Sequence, residues 1–162
     1  MLETARKHVE DLLNSYPEMI RKISLLRYEL EHTSTVSPDE MIEAMSFAKS
    51  EGSGSAPSGV SNKTLYIALN YQEAAERVNT EAMDDLSLRL FPLEQTIHRL
   101  HHYVGLLPAE EKTIIRLSCF EQKSLQEVAE ILDISLWTVR SRRKSAITNL
   151  AKMYDFVLEG AQ

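Results

Sequence analysis

The sequence predicts an all-α protein, in which long helices form a hairpin or coiled-coil assembly domain and a small C-terminal helix-turn-helix domain follows. Two observations support this prediction. Apolar residues recur at alternating spacings of three and four near both ends of residues 1–106, which is a heptad pattern. Three short helices with their own capping residues then follow within residues 107–150. A chain of 162 residues has room for a small domain with an extended partner element.

The first thirty residues predict a helical seam. Pro17 interrupts the pattern, and Ser15 and Glu18 have the spacing of a capping pattern. We therefore expect one helix to end near Asn14 and a second to start at Ser15, with a kink as the alternative. The seam needs a partner helix, because a lone amphipathic helix is marginal in water. Its apolar residues are Leu2, Ala5, Val9, Leu12, Tyr16, Met19, Ile23, Leu26 and Leu30.

A second seam is predicted at the end of the assembly domain, residues 1–106. Ser37 starts a short helix that reaches about Ala48, and a flexible Gly/Ser-rich linker follows near residues 50–63. A long helix resumes at Thr64, bends at Pro92 and ends at Gly105. The two seams can pair as an antiparallel hairpin in one chain or between two chains, so a homo-oligomer, dimeric or higher, is expected. The second seam contains Leu86, Leu90, Leu93, Ile97, Leu100, Val104 and Leu107.

Local signals divide residues 107–162 into the helices of a helix-turn-helix domain. Pro108 suits the first turn of a helix that ends near Gln122. Ser124 and Glu127 form a capping box for a second helix, and a turn at Asp133 leads to Ser135, which caps a third. The second helix of such a pair enters the major groove of DNA. The predicted buried stripe of the third helix is Val139, Ala146, Ile147 and Leu150.

Charge points to nucleic acid as the partner of the third helix. No acidic residue lies between Asp133 and Asp155, whereas five basic residues do: Arg140, Arg142, Arg143, Lys144 and Lys152. The net charge of −6 arises entirely from residues 1–106, since residues 107–162 carry eight basic and eight acidic side chains. We expect a localised footprint on double-stranded DNA, with the acidic part of the chain held away from it.

The segment SLQEVAEILDISLWTVRSRRKSAITNL resembles region 4 of bacterial sigma factors, the domain that reads the −35 promoter element. It is similar in particular to sigma-like phage regulators of the ArpU and RinA type, which activate late phage genes, and the pattern at Tyr16-Pro17 and the Ser/Gly-rich segment extend this similarity. The resemblance implies base reading by Leu136, Trp137, Arg140 and Ser141. It departs from the family at Asp133, commonly glycine, and at Leu136-Trp137, commonly polar. The complete predicted DNA-binding set is Ser124, Ser135, Leu136, Trp137, Thr138, Arg140, Ser141, Arg142, Arg143 and Lys144.

Other classes of function find little support. No catalytic set, cofactor motif or metal site is recognised, and His98, His101 and His102 flank the second seam without a further ligand. We therefore expect no enzymatic activity. The sequence has no membrane-spanning run and no signal peptide, and the single Cys119 fits a reducing compartment, so a cytoplasmic protein is expected.

Three functions remain open. The leading one is a sequence-specific DNA-binding transcriptional regulator, a phage or prophage sigma-like activator of late genes, with RNA polymerase as a candidate further partner. A phage terminase small subunit, which recognises DNA for packaging, also joins a helix-turn-helix to oligomerising helices, although there the DNA module usually comes first. The third is an interaction module that docks on RNA polymerase without touching DNA.

Overall fold

The computed structural model describes residues 2–33, Asp39 and 62–159, and these residues form an all-α fold without strands. The predicted short helix from Ser37 to about Ala48, apart from Asp39, and the linker as far as residue 61 lie outside them. In chain order the elements are α1 at Leu2–His32, α2 at Asn62–Gly105, α3 at Ala109–Ile115, a π-helical turn at Arg116–Phe120, α4 at Leu125–Leu132 and α5 at Leu136–Glu159.

α1 is one continuous helix, so the predicted break at Pro17 is wrong. An interior proline costs a helix about 3 kcal/mol, because it removes a backbone hydrogen bond and crowds the preceding turn. Val9 and Leu13 before the proline and Met19 and Ile23 after it are all buried. Each such side chain contributes about 1.5–3 kcal/mol on burial, so together they outweigh the proline penalty and keep both halves of the helix aligned.

The residues predicted for the two seams are mostly buried within a single chain. α2 starts at Asn62, so the last two residues of the predicted linker are helical, and it ends at Gly105 as predicted. α1 and α2 meet where the Tyr16 hydroxyl and His101 Nε2 lie 2.9 Å apart in a hydrogen bond. Buried seam residues are Ala5, Val9, Tyr16, Met19, Ile23 and Leu26 on α1, and Leu90, Ile97, Leu100 and Val104 on α2, with Leu107 just after it.

The chain divides into two compact units. One comprises Met1–Ser24 together with Phe91–Gln162, and the other comprises Leu25–Leu90. The first unit contains all the residues predicted to bind DNA. In the second, Leu26, Ala75 and Leu90 are buried. The predicted division of the chain into an assembly domain, residues 1–106, and a DNA-binding domain, residues 107–162, stays a prediction.

The first helix of the C-terminal region ends near Gln122 as predicted, but it ends through a π-helical turn. Pro108 is the residue that precedes α3, and the helix passes into the π-helical turn, in which the Glu121 N–H donates to the Arg116 carbonyl oxygen at 2.9 Å. Gln122 then adopts a left-handed backbone conformation with φ of 58°, and its side-chain Nε2 donates to the Cys119 carbonyl oxygen at 2.6 Å. Apolar spacing could not show this, because the π-helical turn is the last turn of the helix and no later residues of that helix record the shift in register.

An aromatic cluster fixes α1 and α2 to the π-helical turn within the first compact unit. The rings of Tyr16 and Phe120 are stacked with their centroids 4.4 Å apart, and the His101 ring lies 4.7 Å from Phe120. Burial raises the pKa of Tyr16, and it lowers the pKa of His101 with a further contribution from the charge of His98. The start of the chain is thereby attached to the element that precedes the helix-turn-helix.

Candidate nucleic-acid interface

A small apolar core holds the helix-turn-helix pair against α3 and the π-helical turn. Its members are close to fully buried, as expected for a module with so few apolar residues to contribute. The core orients α5 relative to α4, and so determines which face of α5 is exposed. Its buried residues are Ile114, Leu117, Val128, Ala129 and Val139, with Leu125 and Leu132 packed against them. Val139, Ala146, Ile147 and Leu150 are all buried, which confirms the predicted stripe on α5.

The predicted caps and turn of the pair are present. Ser124 Oγ accepts from the Glu127 N–H at 3.2 Å, and the Ser124 N–H donates to Glu127 Oε2 at 2.6 Å, which completes the capping box. The backbone and side-chain hydrogen bonds with Ser124 lower the pKa of Glu127. Asp133 forms the turn in the left-handed conformation, with φ of 51°. Ser135 Oγ accepts from the Thr138 N–H at 3.1 Å and so caps α5.

The first three turns of α5 carry a solvent-exposed face of mixed character. Trp137 is 76% exposed, so most of its side chain is open to solvent. Arg140, Ser141 and Lys144 are exposed as well. Since successive residues of an α-helix are offset by about 100°, Trp137, Ser141 and Lys144 lie opposite the buried stripe, and Arg140 lies at the edge of that stripe, next to Ile147. This face therefore combines one aromatic ring with two cationic side chains.

The remaining predicted residues of α5 are half-buried or form contacts with other side chains. Leu136, Thr138 and Arg143 are half-buried. The Thr138 hydroxyl lies 2.7 Å from that of Ser135, so it extends the cap. The exposed Arg142 forms a salt bridge with Glu110 of α3, in which Nη2 and Oε2 are 3.0 Å apart. The predicted set thus lies at Ser135 and along the first three turns of α5, apart from Ser124, which caps α4, and its side chains do not all share one face.

Glu111 is a buried residue that the sequence analysis did not identify. It is only 5% exposed, and its carboxylate accepts from Ser145 Oγ at 2.6 Å and from Asn149 Nδ2 at 2.9 Å. These bonds join α3 to the face of α5 next to the buried stripe. Glu111 shares the helical spacing of Ile114 and Ile115, so the apolar periodicity of α3 could have indicated that it points inward.

The described residues contain no group of three or more histidine, cysteine or acidic side chains that could hold a metal ion. His101, one of the three histidines considered in the sequence, contacts Tyr16 and Phe120 instead. Cys119 is buried and unpaired in the π-helical turn. No described helix combines the length and the apolar character needed to cross a membrane.

Residues 104–152 match the family model of Sigma-70, region 4, which is less than a third of the chain. No curated protein and no solved structure matches the sequence. The match covers α3, the π-helical turn, α4 and most of α5, and it confirms the predicted similarity to sigma region 4 for this segment. The chain thus carries a sigma-70 region 4-like helix-turn-helix on an all-α fold, which indicates DNA binding and a role in transcription regulation.

Proposed function

We propose that the protein is a sequence-specific DNA-binding transcriptional regulator, and that it is a sigma-like activator of late genes in a phage or prophage. The observation that carries the DNA-binding proposal is the exposed face at the start of α5, where Trp137 lies beside Arg140 and Lys144. The match to sigma region 4 supports the same element as the recognition helix. The proposed role as an activator of late phage or prophage genes rests on the resemblance of the sequence to phage regulators of the ArpU and RinA type.

In this proposal the basic residues of α5 hold the DNA backbone. Arg140, Arg142, Arg143 and Lys144 contact phosphates, with Arg143 reaching them from its half-buried position. The Ser124 hydroxyl accepts a bond within its cap, and its own hydrogen can be donated to a phosphate at the start of α4. Arg140 also reads a base in this proposal, whereas the other contacts set the register of the protein on the duplex and carry no sequence information.

Base reading falls on the exposed residues nearest the start of α5. Trp137 and Leu136 offer apolar surface to thymine methyl groups, and Arg140 can bind a guanine with two hydrogen bonds. Ser135, Thr138 and Ser141 provide hydroxyl groups at the same end of the helix. We therefore propose a thymine-rich half-site that contains one guanine.

Salt-dependent binding to DNA tests the backbone contacts. About four phosphates neutralised per subunit predict a slope near −4 for log affinity against log salt concentration. Replacing Arg140 and Lys144 together with alanine should flatten that slope by about 2 without unfolding the chain, because both side chains are exposed. Lys22→Ala on α1 is the matched control, because it removes an exposed lysine outside the sigma-like region. An unchanged slope in the double variant would remove this face from the interface.

A Trp137→Ala variant tests the base contacts. Affinity for an operator selected from random sequences should fall by about 1–3 kcal/mol, while affinity for random duplex DNA changes little. Because the side chain is exposed, the thermal stability of the variant should equal that of the parent. Equal weakening on both kinds of DNA would contradict the reading role. A protein that binds no DNA at all would favour the interaction module on RNA polymerase.

Oligomerisation and RNA polymerase contact belong to the same proposal. Leu25 and Leu88 in one compact unit and Phe91 in the other are large apolar side chains that stay exposed on α1 and α2. Such residues support pairing between chains, which would let two recognition helices bind two half-sites. Light scattering on the full chain should give at least twice the monomer mass, and a monomer at micromolar concentration would refute the pairing between chains.

A reporter gene under the selected operator, with and without the protein, separates an activator from a packaging protein.

A further inference from the structure

One carboxylate from another helix reaches the basic segment of α5. Glu110 lies in the first turn of α3, and its Oε2 is 3.0 Å from Nη2 of Arg142. The side chains remain open to solvent, with exposed fractions of 69% for Glu110 and 50% for Arg142. Both residues line a groove between α3 and the helix-turn-helix pair, together with Thr113, Ile134 and Thr138.

The pairing distinguishes Arg142 from the rest of the basic group. Within the part of the chain that the structure describes, Arg142 is the only one of Arg140, Arg142, Arg143 and Lys144 that forms a salt bridge. Residues 134–154 contain no acidic side chain, so α5 itself offers Arg142 no carboxylate in place of Glu110 up to Tyr154. The negative charge next to α5 therefore comes from α3, which is fixed against α5 by the buried Glu111.

A carboxylate and a DNA phosphate compete for the same guanidinium. Both are anions that accept hydrogen bonds from its N–H groups, and Arg142 can bind a phosphate fully only by releasing or sharing Glu110. A phosphate bound to Arg142 would also lie close to the Glu110 carboxylate, and the two negative charges would repel each other. The pair is exposed, so it is weak enough for DNA to displace.

We propose that Glu110 is a competing carboxylate that occupies Arg142 and so lowers the affinity of the protein for DNA of any sequence. This inference rests on the proposed DNA-binding function. Since phosphate contacts carry no sequence information, Glu110 sets the overall strength of binding and leaves the preference for particular bases unchanged. The consequence is a shorter residence on non-specific DNA, where backbone contacts supply nearly all of the affinity.

The test measures binding of the full chain to a short random-sequence duplex and to a selected operator at low salt. Glu110→Gln keeps the shape of the side chain and removes its charge. It should tighten binding to both duplexes by the same factor, about two- to fivefold, as an exposed ion pair allows. The gain should shrink as salt rises, because added ions screen the pair.

A double-mutant cycle assigns the effect to the pair. In an Arg142→Ala background, Glu110→Gln should leave affinity nearly unchanged, because the competing partner is absent. Glu121→Gln is the matched control: it removes one exposed carboxylate of the same region that is paired with Arg116 at 3.6 Å, and it should leave DNA binding unchanged. Thermal melts of all variants should coincide, since every changed side chain is exposed.

Each contrary outcome has a distinct meaning. Equal tightening by Glu110→Gln with Arg142 present or absent, or by Glu121→Gln, would show a general effect of net charge and overturn the proposal. Weaker binding would show that Glu110 orients Arg142 toward DNA, and it would overturn the proposal too. Unchanged binding of Glu110→Gln refutes the competition while the DNA-binding function stands. If the parent and every variant fail to bind either duplex, the function and the inference both fail.

Discussion

The buried Glu111 gives the sharpest test of how α5 is held. Replacing it with alanine removes the acceptor of the Ser145 Oγ and Asn149 Nδ2 hydrogen bonds, which are 2.6 and 2.9 Å long. The change also leaves a small void at a position that is only 5% exposed. Both bonds join α3 to α5, so their loss weakens the support of the recognition helix as well as the fold.

The expected cost follows from the environment of each donor. A hydrogen bond to a charged group contributes about 1.5–3 kcal/mol. Ser145 is exposed and recovers part of its loss from water, whereas Asn149 is half-buried and recovers less. We expect the free energy of unfolding to fall by about 2–4 kcal/mol in Glu111→Ala. For a chain of this length that corresponds to a decrease in melting temperature of about 5–15 °C.

Urea and thermal unfolding followed by circular dichroism measure this effect. Glu111→Gln keeps the volume and one acceptor, so its loss should fall between those of the parent and the alanine variant. Glu130→Ala is the matched control: this exposed glutamate accepts a surface hydrogen bond from Gln126 at 3.3 Å, and the substitution should lower the free energy of unfolding by less than about 0.5 kcal/mol. A Glu111→Ala variant as stable as the control would refute the assigned role of the buried carboxylate.

Three further predictions concern other positions in the first compact unit. The Tyr154 hydroxyl is buried with no hydrogen-bond partner among the described residues, and burial raises its pKa to about 12. Tyr154→Phe should therefore raise the free energy of unfolding, measured in urea, by about 1 kcal/mol, and a decrease would contradict this account. Asp133→Gly should raise the free energy of unfolding by about 0.5–1 kcal/mol, because glycine adopts the left-handed conformation without strain. A lower melting temperature would contradict this prediction. For His101, burial and the charge of His98 lower the pKa in the folded state below the unfolded value of about 6.5. At pH values between the folded and the unfolded pKa, His101 is therefore protonated more in the unfolded chain than in the folded one. The stability of the parent relative to His101→Gln should fall as pH decreases through that window, and parallel pH profiles would refute the assignment.

The sequence by itself determined the features that depend on a few neighbouring residues. The capping box at Ser124, the cap at Ser135 and the turn at Asp133 each involve groups within four positions of one another, and all are present. The end of α2 at Gly105 belongs with them. The buried stripe of α5 followed from helical periodicity alone, because one face of that helix must be apolar to pack.

Tertiary structure decided the features that join distant parts of the chain. α1 continues through Pro17 because apolar side chains on both sides of it are buried on partners elsewhere, a gain that local propensity does not include. The partners of Glu111 are 34 and 38 residues away, and Glu110 and Arg142 belong to different helices. Whether a charged residue is buried, paired or exposed depends on which side chains the fold brings within hydrogen-bonding distance. Sequence patterns specify the faces of each helix, but the position of one helix against another fixes those contacts.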